Sequence, residues 1–289
     1  MVDEQQQFAL EDYQAFRTFL NQACGIVLGD NKQYLVANRI RRILEEHQLT
    51  TLSALVTRIN QHSVPGLREK VIDAMTTNET FWFRDSAPFD ALRDVILPRL
   101  VLEEKRSSLR IWSAACSSGQ EPYSISMIFE EFKARHPGVL MRDPEIIGTD
   151  ISNSMLSNAR LAEYDGLSVS RGLSDSRRRM FFDELPQGRF RLKPGITRRV
   201  NFKPLNLQDT YASLGRFDVI FCRNVLIYFA ADFKADILRR MRSSLNPGSY
   251  LLLGASESLP ATISDLYQME RLSAHTSVYR NQLPPGGKL

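Results

Sequence analysis

Apolar positions fall into two different rhythms along this chain, and the change comes between residues 80 and 105. Before it the spacing is helical. "LEDYQAFRTFLNQACG", with Phe8 just ahead of it, places Tyr13, Phe16, Phe19 and Leu20 on one face, and Gly25 is a natural stop. "KQYLVANRIRRILEEHQ" turns Leu35, Ile40, Ile43 and Leu44 inward. Arg41 and Arg42 stand four residues before Glu45 and Glu46, spacing that favours salt bridges. Arg39 and Arg42 are expected on one exposed face. "TTLSALVTRINQH" predicts a third helix capped by a Thr, and "PGLREKVIDAMTT" a fourth with Pro65 in its first turn. This part carries no catalytic constellation and reads as a small bundle that recognises a partner.

After residue 105, strands alternate with helices. "LRIWSAAC" is an apolar strand, followed by a small-residue loop and the amphipathic helix "QEPYSISMIFEEF". "EIIGTDIS", "RRVNFKPLNLQD", "FDVIFCRNVLIYF" and "SYLLLGASESL" supply four more strands. Such alternation predicts a parallel sheet with helices on both faces. "YQMERL" and "SVYRN" predict a terminal hairpin around "SAHT", adding an antiparallel strand at the far edge. "GRFRLKPGITRRVNF" looks inserted. Pro194-Gly195 suits a type II turn between Arg189–Lys193 and Ile196–Phe202, predicting a small antiparallel ribbon at about 186–204.

Composition narrows the class. The chain has 289 residues, 43% hydrophobic and 24% charged, with no apolar run near the roughly eighteen residues of a membrane span. "MVDEQQQF" lacks the features of a signal peptide. The three cysteines (Cys24, Cys116, Cys222) and four histidines do not cluster, which fits a reducing cytoplasm and predicts no metal site. Charge is uneven. Residues 1–84 hold nine Lys/Arg and ten Asp/Glu, whereas residues 170–204 hold ten Lys/Arg and three acids. That basic run is either a solvated face or a dock for something acidic.

The chemistry gathers at strand ends, where open α/β sheets bind ligands. "SAACSSGQEP" is neither a GxGxxG nor a phosphate loop, so nucleoside triphosphates lose support. Glu121 at the next helix entrance would repel a phosphate and suits an ammonium group. Asp150, after the second strand, suits ribose hydroxyls. Arg223 and Asn224 follow the fourth strand. A ligand with a ribose, an ammonium group and no phosphates points to S-adenosylmethionine.

"TTNETFWFRD", "IWSAACSSGQEPYSISM", "IIGTDIS", "PLNLQD" and "FCRNVLIYF" resemble, in order, the chemotaxis receptor methyltransferases of the CheR family, from roughly residue 8 to residue 282. The resemblance implies an all-α N-terminal domain (1–78) for receptor recognition. A Rossmann-like S-adenosylmethionine methyltransferase domain (79–289) with an inserted small antiparallel β-subdomain would follow it. It implies methyl transfer to chemoreceptor glutamates, giving methyl esters and S-adenosylhomocysteine. Asn78, Thr80 and Arg84 resemble the cofactor-contacting segment. Glu121 would hold the methionyl ammonium and Asp150 the ribose. Asn206, Leu207, Arg223 and Asn224 would line the pocket, and Tyr228 would sit near the transferring methyl. Arg84 and Tyr228 are thus the catalytic candidates.

Trp82 stands where many relatives have Phe, and Phe81, Trp82 and Phe83 are expected to plug the hinge between domains. The expected partners are cytoplasmic receptor helices, with a receptor C-terminal peptide on the β-subdomain as a further candidate. No nucleic acid, no membrane insertion and a monomeric chain are expected. Two other readings compete: a nucleic-acid methyltransferase, suggested by the basic run, and a non-catalytic S-adenosylmethionine-binding module.

Overall fold

The computed structural model describes residues 8–140, 142–273 and 276–281. Its first four helices are α1 (Leu10–Cys24), α2 (Gln33–Glu46), α3 (Leu52–Asn60) and α4 (Leu67–Met75). Their inward stripes meet in a core of Tyr13, Phe16, Leu20, Val36, Ile40, Leu55 and Val71. Thr51 caps α3, its hydroxyl accepting from Ala54 N at 3.1 Å. Pro65 lies outside α4, whose cap is Gly66. Glu46 pairs with Lys70 of α4 at 2.5 Å, drawn across the bundle rather than along its own helix.

The chain continues through α5 (Ala87–Ala91), which runs on into π-helical turns at Leu92–Ile96 and Pro98–Glu103 that the apolar pattern did not announce. Next come β1 (Arg110–Ala114), α6 (Gln120–Arg135), β2 (Glu145–Asp150) and α7 (Asn153–Leu161). Then follow β3 (Glu163–Asp165), α8 (Gly166–Ser170), α9 (Asp175–Phe181), β4 (Phe182–Leu185), β5 (Arg189–Leu192) and α10 (Pro194–Thr197). The last group is β6 (Val200–Pro204), β7 (Phe217–Cys222), α11 (Ala231–Ser243), β8 (Leu245–Leu253), β9 (Tyr267–Ser273) and β10 (Thr276–Asn281).

One sheet has the order β6-β2-β1-β7-β8-β10-β9. Its first five strands run parallel, and β10 and β9 close the edge antiparallel, as the terminal pattern predicts. The hairpin tip at Ala274 and His275 lies outside the described residues. Strand order reverses between β1 and β7, so the loops leaving these neighbours diverge and open a crevice.

The predicted ribbon is not what forms. Residues 194–197 make a helical turn, with Arg198 N donating to Pro194 O at 3.1 Å. Proline's fixed φ serves a helix start as well as a type II turn. The small sheet is β3-β5-β4, drawn from residues 163–192, and Val200–Pro204 instead pairs with β2 in the large sheet. The two strands that flank β5 are three and four residues long, too short for period-two alternation to reveal them.

The aromatic triplet also sits elsewhere than expected. Trp82 and Phe83 belong to the core of the sheet-bearing half, not to a joint with the helical bundle. The Trp82 ring meets Tyr164 (4.9 Å) and Phe182 (5.3 Å) edge-on, locking the segment to the small sheet. Phe81 stays half-buried under Arg171 (4.4 Å) and Arg84 (5.6 Å).

Candidate active site

A cavity of about 320 Å³ fills the β1/β7 crevice. Every residue singled out from the sequence lines it: Asn78, Thr80, Arg84, Glu121, Asp150, Asn206, Leu207, Arg223, Asn224 and Tyr228. They arrive from four places, namely the segment before α5 and the segments that follow β1, β2/β6 and β7.

Backbone shape delivers them. Ala115, Ser117 and Gly119, in the loop after β1, all have positive φ, as does Asn224 after β7. Left-handed backbone is costly for residues with a Cβ and gathers where function over-determines the chain. Gly119 (φ 93) has a second reason to be glycine, since a Cβ there would meet Ala159, Tyr123 and Phe202 at 3.0–3.2 Å.

Asp150 ties two of these loops together. Its Oδ2 accepts Ser117 N at 2.7 Å and its Oδ1 accepts Ser152 N at 2.9 Å. Burial pushes its carboxyl above the ordinary range, and the backbone N–H donors from Ser152 and Ser117 work against that rise. Each oxygen keeps a lone pair for a ligand hydroxyl.

Glu121 is not free to face a ligand alone. Its Oε1 accepts from Ser113 Oγ (2.8 Å) and its Oε2 from Arg223 Nη1 (2.9 Å). Arg223 is buried and spans to Asp85 (3.0 Å) and to the Arg84 carbonyl (2.6 Å). Its Nε is buried without a partner among the described atoms. The Arg223–Glu121 pair sets a cation and an acid side by side in the cavity wall, which suits the amino-acid end of a ligand that carries both an ammonium and a carboxylate.

The helical bundle walls the other side. Val27 N donates to Tyr228 O at 2.9 Å, and Ile26 bridges Phe229 antiparallel. Asn206 spends its side-chain amide on Ala23 O (2.8 Å), so this predicted pocket residue also joins the domains. Ser152 Oγ bonds Asp73 of α4. Ile26, Val27, Leu28, Gly29 and Lys32 all line the cavity, and no sequence signature marked them. Ser117 lay within the quoted loop but went unassigned.

Arg39 departs from its expected place on a docking face. It is half-buried, lines the cavity, and donates to Met75 O (2.7 Å), Thr76 O (2.9 Å) and Thr77 Oγ1 (3.1 Å). The C-terminal carbonyls of α4 lack intrahelical donors, and a guanidinium fork answers them. Arg42 remains exposed. Arg84 is half-buried, with Nη1 donating to Glu79 O at 2.7 Å. Asn78 O accepts from Ser117 Oγ at 2.8 Å, fastening the segment to the loop after β1.

Cysteine chemistry is suppressed. Burial raises the Cys116 thiol well above its usual value, with Asp150 and Glu121 adding to the rise, and burial pushes Cys24 to about 11. Both line the cavity as neutral thiols, poor nucleophiles near pH 7.

A parallel sheet with a β1/β7 crevice, acids at successive strand ends and no phosphate loop defines the Rossmann-like cofactor-binding methyltransferase class. Comparison with known proteins then carries the assignment to a family. The "CheR methyltransferase, all-alpha domain" matches residues 11–76, and the "CheR methyltransferase, SAM binding domain" matches residues 78–275. The chemotaxis protein methyltransferase Cher2 of Pseudomonas putida is 52% identical over 262 residues, covering 91% of this chain and 95% of that protein. Chemotaxis protein methyltransferase 1 of Pseudomonas aeruginosa is 53% identical with the same coverage. The chemotaxis protein methyltransferase of Vibrio parahaemolyticus is 50% identical over 90% of this chain and 94% of its own length. The chain belongs to the CheR family of S-adenosylmethionine-dependent chemotaxis methyltransferases. The nucleic-acid reading is not favoured. No helix among the described residues is long and apolar enough to cross a membrane.

Proposed function

We propose that this chain methylates glutamate side-chain carboxylates of chemoreceptor cytoplasmic helices, forming methyl esters. The observation that carries the reading is a gradient of charge in the cavity. Its buried or nearly buried charges, Asp150, Glu121 and Arg223, sum to −1, whereas the half-exposed cations Lys32, Arg39 and Arg84 outnumber the exposed Glu79. An acidic interior suits a cationic cofactor, and a cationic approach suits an anionic substrate.

S-adenosylmethionine, when bound, supplies a methyl group already activated on a sulfonium. Asp150 would hold its ribose, with Glu121 and Arg223 at its amino-acid end, and Asn206, Leu207, Asn224, Asn78 and Thr80 around it. A glutamate carboxylate, with a reference pKa of about 4.3, is already ionised near pH 7, so the chain has no proton to remove. Its residues must align and dehydrate the carboxylate. Charge separation shrinks on the way to the transition state. A cation gripping the attacking oxygen would therefore favour the ground state and slow the step. Arg84 accordingly orients, holding the cofactor or the oxygen that does not attack, while Tyr228 steadies the reacting geometry.

The proposed setting is the cytoplasm, with the chain acting as a monomer. A receptor C-terminal peptide at the small sheet is a further proposed partner, carried by the family resemblance. The test is transfer from methyl-labelled cofactor to receptor-rich membranes, with the modified residues mapped by mass spectrometry. Base-labile label on glutamates supports the reading. Label on lysine or on nucleic acid, or none at all, overturns it.

A further inference from the structure

The segment after β7 carries more of the cavity wall than any other stretch of the sheet half. It brings Arg223, Asn224, Val225, Tyr228 and Phe229 to the ligand space. Yet its own backbone is irregular. Asn224 has φ 58, Val225 is neither helical nor extended, and only residues 226–228 form a short 3₁₀ turn. Three successive N–H groups, those of Asn224, Val225 and Leu226, point one way and need an acceptor.

One carboxylate answers all three. Glu257 Oε2 accepts Asn224 N (2.7 Å) and also Gly254 N (2.8 Å). Its Oε1 accepts Val225 N (3.0 Å) and Leu226 N (2.8 Å). Successive N–H groups of this kind form a concavity for an anion, and here the anion is the protein's own side chain. Glu257 sits just beyond β8 in a tight turn, its N–H donating to Gly254 O at 2.9 Å. The close approach of the two segments leaves no room for a side chain at 254. A Cβ there would lie 2.6 Å from Glu257 Oε2 and 3.0 Å from Asn224 N.

We propose that Glu257 is a positioning residue for methyl transfer, its carboxylate clipping the backbone of residues 224–226 so that Asn224 and Tyr228 keep their places in the cavity. The proposal rests on the function proposed above. It differs from a generic stabilising role because both oxygens must be acceptors. Glutamine has almost the same shape, but its amide nitrogen would face two N–H donors. Glutamine should therefore fail about as badly as alanine. Aspartate keeps both acceptors on a shorter stem and should recover part of the loss.

Two measurements decide it. The first is amide hydrogen exchange on the protein without cofactor. The wild type should protect the amides of 224–226, and Glu257→Gln should expose them at least about tenfold, with the protection of β1 and β7 unchanged. The second is single-turnover transfer at saturating cofactor, per folded molecule and well below the melting temperature. Glu257→Gln and Glu257→Ala should both fall about a hundredfold, the cost typical of a small misplacement near reacting groups. Glu257→Asp, the variant least disposed to misfold, should lie between them and the wild type. If Glu257→Gln keeps protection at 224–226, or turns over within threefold of the wild type, or if Glu257→Asp is no better than Glu257→Ala, the clip is not what positions the site. A wild type that transfers no methyl to receptor glutamates would instead defeat the underlying function. The exchange experiment still reports on the clip in that case.

Discussion

The cavity wall and the small sheet both concentrate charge, and they treat it in opposite ways. Around β3-β5-β4 most of the arginines find an acid close by. Arg189 and Arg191 flank Glu163, Arg177 grips Glu131 through two bonds of 2.7 and 2.9 Å, and Arg198 reaches Asp143 at 2.8 Å. Arg171 meets Glu79 at 2.7 Å, and the buried Arg199 meets Glu130 and Asp143. Of these acids all lie outside residues 170–204, so the surplus counted along the sequence is largely cancelled in space. In the cavity, by contrast, charges are buried or half-buried and several donors and acceptors keep unspent capacity. The half-buried Lys32 and Arg84 form no ion pair among the described residues. The lesson is that unspent bonding capacity under partial burial marks the site better than local charge density does.

The largest effect that would sharpen this contrast lies at Arg84. If its planar fork orients rather than merely attracts, Arg84→Lys should lose about a hundredfold or more in single-turnover rate at saturating cofactor, close to Arg84→Ala. Tyr228→Phe should bind S-adenosylhomocysteine normally and lose turnover. Near-normal turnover in Arg84→Lys would mean that charge alone suffices.

A smaller effect separates two arginines one helical turn apart. Arg39→Ala removes a charged donor from three acceptors in the linker. Hydrogen bonds to charged groups are worth about 1.5–3 kcal/mol, so calorimetry should show S-adenosylhomocysteine binding weakened by roughly tenfold. Arg42→Glu should leave that affinity alone and slow only receptor methylation. Equal behaviour of the two would return Arg39 to the docking face.

The smallest effect belongs to the small sheet. The Arg191–Glu163 pair is half open to water, with the Arg191 side chain 55% exposed. Such solvent-screened pairs contribute little to stability. Arg191→Ala should shift the melting temperature little and leave cofactor affinity unchanged. A tenfold loss of affinity would break the contrast between the two regions.

Much of this was legible in the chain, for identifiable reasons. The α1 and α2 stripes and the β1, β2 and β7 runs are long and regular, so periodicity finds them. The strand-end residues carry chemistry that their positions explain. What escaped depends on partners far away in sequence. β3 and β4 are three and four residues long, and only their pairing with β5 makes them strands. Arg39 looked exposed because its acceptors, 36 to 38 residues away, are main-chain carbonyls and one hydroxyl. Glu257 binds backbone N–H groups more than thirty residues distant, which no side-chain pattern announces.

The central claim is that the buried acid at the end of β2 holds the cofactor's sugar. Its most direct test is calorimetric titration of S-adenosylhomocysteine into the wild type and Asp150→Ala. The account predicts a loss of about 1.5–3 kcal/mol, roughly ten- to a hundredfold in Kd. It also predicts that wild-type affinity declines on acidification at a pH above the ordinary carboxylate range. Burial raises the Asp150 pKa, so the carboxylate takes up its proton, and loses its acceptor charge, earlier than an exposed one would. Unchanged affinity in Asp150→Ala would contradict the account.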